Sequence, residues 1–135
     1  MWIRAGAAYL VAVLVFCSLD LAWLGLFAKG WYQAQLGPLL LPAPLWSAGV
    51  AFYAVYLVGL LLFGVLPALR SGRGRDALLW GALYGFFTYY TYDMTNLATL
   101  KGWPATLVLV DVAWGTLLNA LVALAAWRVA SRINA

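Results

Sequence analysis

The sequence predicts an all-α integral membrane protein, a four-helix bundle forming one transmembrane domain over residues 1–135, with both termini cytoplasmic. Three observations predict it. The chain is 67% hydrophobic and 9% charged over 135 residues, where an ordinary soluble domain carries about 25% charged residues. There is too little polar surface to cover a water-exposed globule. Four apolar segments, 5–28, 45–69, 77–100 and 105–126, each exceed the roughly 20 residues that an α-helix needs to cross the hydrocarbon core. The basic residues gather at alternate segment ends.

Helices are the expected form because lipid offers no water to satisfy a free amide or carbonyl. The first segment follows Arg4 and so invites comparison with a secretory leader. Its apolar run is too long for a leader and holds Asp20 and Trp23, and bulky Phe16 precedes Cys17 where a lipoprotein cleavage site needs a small residue. It is expected to stay as a span. Pro38, Pro42 and Pro44 interrupt the chain before the second segment, Ser71, Gly72 and Gly74 before the third, and Gly102 and Pro104 before the fourth. Pro104 suits a first helical turn. The residues 29–44 read as an outer interfacial connector, with a lid over a pocket as the sharper alternative. Asp76 is expected to cap the third helix.

Orientation follows from lysine and arginine placement. One side of the bundle carries Arg4, Arg70, Arg73, Arg75, Arg128 and Arg132, and the other Lys29 and Lys101. Six against two predicts that the arginine side is cytoplasmic. Trp2, Trp31, Trp46, Trp80, Trp103 and Trp127 fall near segment ends, where an aromatic belt belongs. The net charge of +4 is dispersed and forms no basic face, so nucleic acid is not an expected partner. Cys17 is the single cysteine, which excludes an internal disulfide framework.

The chemistry-bearing residues are acids. Asp20, Asp93 and Asp111 lie inside apolar segments, and Asp76 is the only other acid. A carboxylate at the centre of a span costs roughly 2.5–3.5 kcal/mol on insertion scales. Counting along each helix puts Asp20, Asp93 and Asp111 at roughly 22, 24 and 20 Å from the inner edge. The three reach nearly one level from helices of opposite direction. Helical spacing aligns Asp20 with Trp23, Asp93 with Tyr89, Tyr90 and Asn96, and Asp111 with Trp114 and Asn119. Tyr53 and Tyr56 of the second segment reach a similar level. These eleven residues form the expected pocket, opening outward. The bland alternative is that the polar side chains bond to one another and merely hold the helices together.

Without lysine, arginine or histidine in the segments, three nearby acids cannot all ionise, and their protonation is coupled. A proton-linked role fits. If a metal binds, Asp20, Asp93 and Asp111 suit a hard cation such as Mg²⁺ or Ca²⁺. The absence of histidine and the single cysteine disfavour zinc and haem. There is no nucleotide-binding loop, so no cofactor is expected. Asp-x-Ala-Trp occurs at Asp20–Trp23 and again at Asp111–Trp114. The first copy sits late in its span and the second early, which a simple inverted repeat would not produce.

Three stretches, 18–23 (Ser-Leu-Asp-Leu-Ala-Trp), 89–96 (Tyr-Tyr-Thr-Tyr-Asp-Met-Thr-Asn) and 111–115 (Asp-Val-Ala-Trp-Gly), carry a resemblance. They resemble those of a bacterial family of uncharacterised four-span membrane proteins, a domain of unknown function. The resemblance covers nearly the whole chain and implies residence in the bacterial cytoplasmic membrane. It implies no activity. The sequence therefore predicts a pocket that binds or transports a small ligand, proton or cation. The alternatives are a membrane enzyme acting on a lipid or isoprenoid headgroup and a structural subunit of a membrane complex. The expected partners are the bilayer and a small amphipathic ligand or cation, and a homo-oligomer is compatible with the chain.

Overall fold

The computed structural model describes residues 1–134, and it is all helical. Among the described residues there are four long helices, α1 (Trp2–Phe27), α3 (Trp46–Ser71), α4 (Gly74–Thr99) and α5 (Ala105–Ser131), and a short α2 (Lys29–Leu36). Three of them, α1, α3 and α5, are long and apolar enough to cross a membrane. At 26 residues, α4 reaches roughly 39 Å. Its tyrosines, threonines, Asp93 and Asn96 make it less apolar than the other three.

Most of that polarity is absorbed locally. The hydroxyls of Thr88, Thr91 and Thr99 donate to the carbonyls of Tyr84, Phe87 and Thr95 at 2.7, 2.6 and 2.8 Å. A hydroxyl bonded one turn back along its own helix leaves no donor for a neighbour or a ligand.

The segment 29–44, read from its prolines as a connector, holds α2. The helix runs through Lys29–Leu36 and stops at Gly37, ahead of Pro38. It begins where α1 ends in a widened π turn, Trp23–Phe27, closed by the Ala28 amide on the Trp23 carbonyl at 2.7 Å. A second π turn, Leu61–Val65, interrupts α3 just before Pro67. Proline lacks an N–H and its ring crowds the carbonyl four residues back, so the helix widens there rather than break.

Asp76 does not cap α4. Arg73 occupies the cap position with no side-chain cap bond, and Asp76 sits in the first turn. Its carboxylate pairs with the Arg73 guanidinium at 3.0 Å. Pro104 stands immediately before α5 with extended backbone, not within its first turn.

The axis of the assembly is α5. Its buried positions, including Val112, Gly115, Leu118, Asn119, Val122, Ala123 and Ala126, recur at three- and four-residue spacing. That gives the stripe by which one helix contacts others. Against it pack α1, through Ala8, Ala12 and Phe16, and α4, through Ala77, Gly81 and Gly85. Leu10, Leu14, Leu26, Val55, Phe63 and Leu109 point outward and are well over half exposed, an apolar skin of the kind lipid requires.

The α4–α5 contact is a small-residue seam. A Cβ built at Gly81 would lie 2.6 Å from the Asn119 carbonyl and 2.7 Å from the Ala123 methyl. One at Gly85 would lie 2.8 Å from Asn119 and collide with the Gly115 carbonyl, and one at Gly115 would enter the Tyr89 ring. Between apolar helices in lipid, close van der Waals approach replaces the hydrophobic effect as the force of association.

The two ends of the bundle differ. The Arg4 guanidinium donates to the Ile133 carbonyl at 2.8 Å, and the Trp127 indole donates to the Ala68 carbonyl at 3.1 Å. Both chain ends and the α3–α4 turn therefore share one end, with all six arginines. The other end carries α2, Lys29 and Lys101, and there Thr106 bonds Gln35 at 3.1 Å.

The seam yields a clean test. Gly85→Ala should destabilise the protein by roughly 1–3 kcal/mol through overpacking. Gly49→Ala, with nothing within 4 Å of its Cβ, should be neutral or stabilise the helix by up to about 1 kcal/mol. Thermal unfolding of the purified protein in detergent separates the two, and an equal response to both would refute the seam.

Candidate functional site

Asp20, Asp93 and Asp111 all lie toward the lysine end of the bundle, in two groups. Asp20 is 7% exposed on α1. Its carboxylate accepts two hydrogen bonds, from the Tyr53 hydroxyl of α3 at 2.9 Å and from the Trp114 indole of α5 at 3.2 Å. Three helices thus converge on one carboxyl group. Neither donor is a cation, so the carboxylate is solvated by aromatic dipoles alone.

Asp111 on α5 is solvated in the same manner by a different set. The Tyr32 hydroxyl of α2 donates to its Oδ1 at 2.9 Å, and that hydroxyl accepts from the Trp23 indole at 3.2 Å. Tyr32 lies outside the spans, and burial, together with the nearby Asp111, pushes its phenol above the ordinary value. It stays a neutral donor. Trp23 and Trp114 stack with centroids 4.6 Å apart and planes 12° off parallel. The two Asp-x-Ala-Trp stretches therefore meet face to face. Each supplies a carboxylate and an indole to one layer, and the tryptophan of the α5 copy serves the aspartate of the α1 copy.

Asp93 is the exception. It is fully buried on α4, and neither carboxyl oxygen has a hydrogen-bond donor. Its side chain stands against that of Asp111. No lysine, arginine or histidine approaches the pair, and the Arg73–Asp76 contact is the one ion pair among the described residues.

Beside this pair lies a cavity of about 440 Å³ between α3 and α4, lined by Phe52, Tyr56, Thr88, Tyr89, Tyr92 and Asp111. Such a volume is within the range of small-molecule sites. Its walls are aromatic. Phe52 and Tyr56 lie 5.1 Å apart, and Tyr56 meets Tyr89 edge-on at 6.4 Å. The Tyr56 hydroxyl bonds Thr88 at 2.9 Å. Because Thr88 spends its single proton on the Tyr84 carbonyl, Tyr56 is the donor.

Of the eleven expected pocket residues, the structure brings Asp20, Trp23, Tyr53, Tyr56, Tyr89, Asp93, Asp111 and Trp114 to these groups. The other three make no hydrogen bond to a carboxyl group. Tyr90 is 44% exposed on the opposite side of α4, where it stacks on Phe86 at 5.5 Å and lines an apolar groove with Met94 and Val112. Adjacent positions on a helix diverge by about 100°, so Tyr89 and Tyr90 do not share a face. Asn119 is buried in the Gly85 seam and donates to the Gly115 carbonyl at 2.7 Å, one turn back on its own helix. Asn96 is half-buried toward the end of α4 and makes no hydrogen bond to any carboxyl group.

The hard-cation arrangement is not formed either. Among the described residues no three acidic, histidine or cysteine side chains come close enough together to hold a metal ion. Phe52, Thr88 and Tyr92 were not legible as site residues, and Tyr32 only as part of a lid. Tyr32 sits in the segment read as a connector, and the other three are ordinary span residues until the cavity is seen.

A family model described as "Predicted membrane protein (DUF2177)" matches residues 5–128. The chain belongs to that family. No curated protein and no solved structure matches it.

The Asp20 cluster predicts a graded loss. Asp20→Ala leaves the Tyr53 and Trp114 donors without their acceptor and should cost about 1–3 kcal/mol. Tyr53→Phe removes one bond and should cost about 0.6 kcal/mol, the average for a hydrogen bond between membrane helices. Tyr90→Phe should change stability by less than about 0.5 kcal/mol. Unfolding midpoints in detergent check the order, and a Tyr90→Phe loss matching that of Asp20→Ala would contradict the assignment.

Proposed function

We propose that this member of the DUF2177 family crosses the bacterial cytoplasmic membrane four times, with both termini in the cytoplasm. In this reading it uses the Asp93–Asp111 pair to bind or carry a small ligand, a cation or a proton. The observation that carries the reading is the fully buried Asp93 carboxyl, without a donor, set against Asp111 at the wall of a cavity. Two carboxylates in contact in low dielectric repel one another. One shared proton removes a charge and supplies the missing hydrogen-bond donor. The pair then behaves as a single acid whose remaining charge faces the cavity through Asp111. A ligand that brings positive charge displaces the proton, and a ligand that leaves takes its charge away.

A purely structural role accounts less well for this geometry. Polar residues that only join helices bond to one another, as Asp20, Tyr53 and Trp114 do. Asp93 joins nothing through a donor from another side chain. An intramembrane acid left in this condition is costly, and function is the usual reason for bearing the cost.

The orientation rests on the bundle's two ends. The six arginines share one end and the two lysines the other, and basic residues are retained on the cytoplasmic side. In this orientation Asp20, Asp93 and Asp111 would lie in the outer half of the bilayer. The threonine hydroxyls of α4 bond back to their own helix and Asp93 is buried, which lowers the cost of its polar residues in a span.

Two measurements test this reading. Infrared spectroscopy of the reconstituted protein should show the C=O band of a protonated carboxyl that titrates with pH. Asp93→Asn should abolish it and Asp111→Asn should change its pH dependence, and its absence from the wild type would refute the shared proton. For topology, a Cys17→Ser background with Gln33→Cys should react with a membrane-impermeant maleimide on intact cells. The same background with Ser71→Cys should react only after lysis. The reverse pattern would overturn the orientation.

A further inference from the structure

We infer that the cavity between α3 and α4 is a site for an organic ammonium ion, an alkylated or quaternary amine held by aromatic faces and by Asp111. The inference rests on the proposed role of the Asp93–Asp111 pair and names the class of ligand. Four of the six lining side chains are aromatic, Phe52, Tyr56, Tyr89 and Tyr92, and the single ionisable acid among them is Asp111. An aromatic face carries negative quadrupole density and attracts a cation within about 6 Å of its centroid, most strongly when the cation is desolvated. Rings around one carboxylate therefore provide both what an alkylammonium needs: dispersion contact for its methyl groups and compensation for its charge.

The same lining argues against the other ligands of matching charge. A hard metal ion takes six or more oxygens in close shell, carboxylates foremost, and here Asp111 is the one carboxylate among the lining side chains. No three acidic, histidine or cysteine side chains among the described residues gather for a metal. A neutral ligand of the same shape would leave the charge of Asp111 uncompensated, since no internal cation approaches it. An anion meets a carboxyl pair and is repelled. The Tyr56 hydroxyl is engaged with Thr88, so its ring, not its oxygen, is what it offers. Phe52 is about half exposed and stands at the rim, where its removal changes the wall without disturbing the core.

Titration calorimetry of the full chain in nanodiscs tests this with choline, with its uncharged isostere bearing a tert-butyl group in place of trimethylammonium, and with sodium chloride. Choline should bind saturably, and the isostere and sodium should not. Asp111→Asn should abolish choline binding. Phe52→Leu should weaken it about tenfold, whereas Phe52→Tyr, which keeps the aromatic face, should retain it. Binding of the neutral isostere as tightly as choline, or Phe52→Leu binding like the wild type, would overturn the ammonium assignment. No choline binding, with the pH-dependent infrared carboxyl band intact, would overturn the ammonium site and leave the carboxyl-pair reading standing. Loss of both would take the two together.

Discussion

A carboxyl group in a span must find a proton, a cation or hydrogen-bond donors, and this chain has no cation within its spans to offer. The structure answers that constraint twice. Asp20 receives two donors, the Tyr53 hydroxyl and the Trp114 indole, and Asp111 receives the Tyr32 hydroxyl, itself backed by Trp23. Aromatic N–H and O–H groups thus take the place that lysine or arginine holds in other ion pairs. They are less costly to bury than a cation and leave the site net negative. Asp93, with no donor, is the point at which the scheme stays open.

Everything that brings these acids together depends on α5 being approached closely. The glycines at 81, 85 and 115 let α4 lie against it with backbone contact, which sets Asp93 beside Asp111. The π turn at the end of α1 and the start of α2 bring Trp23 and Tyr32 over the same region. Apolar side chains line the outside and polar ones face inward. That inversion suits lipid, where the interior is the only place a polar group finds partners. The threonines of α4 do not contradict it, because their hydroxyls are spent on their own helix.

Much of this was legible in the sequence. The three acids stood out because each is expensive in an apolar segment, and helical rise alone put them at similar depth. Trp23, Trp114 and Tyr89 followed from spacing and Tyr53 from depth, and all four lie beside the acids or the cavity. Spacing misplaced Tyr90, and Asn96 and Asn119 form no bond to the acids. A helical face inferred from one helix is broad, and which part of it meets a neighbour is decided by the neighbour. Gly85 and Gly115 select Tyr89 over Tyr90 and draw Asn119 into the seam. Tyr32 was legible only through the lid alternative for residues 29–44, and its bond to Asp111 was not. Its segment was read from prolines that begin only at Pro38, and the eight residues before them form a helix. The meeting of the two Asp-x-Ala-Trp stretches through stacked indoles needed tertiary structure, since the copies lie on different helices.

The central claim is that Asp93 and Asp111 act as one acid. A double-mutant cycle on folding stability in detergent, with Asp93→Asn, Asp111→Asn and both together, tests it most directly. Either single substitution breaks the shared-proton bond, so the second has no such bond left to break. The effects should depart from additivity by about 0.5–3 kcal/mol, as for side chains in contact. Additivity to within about 0.3–0.5 kcal/mol would mean that the two carboxyls are independent, and the account of the site would be wrong.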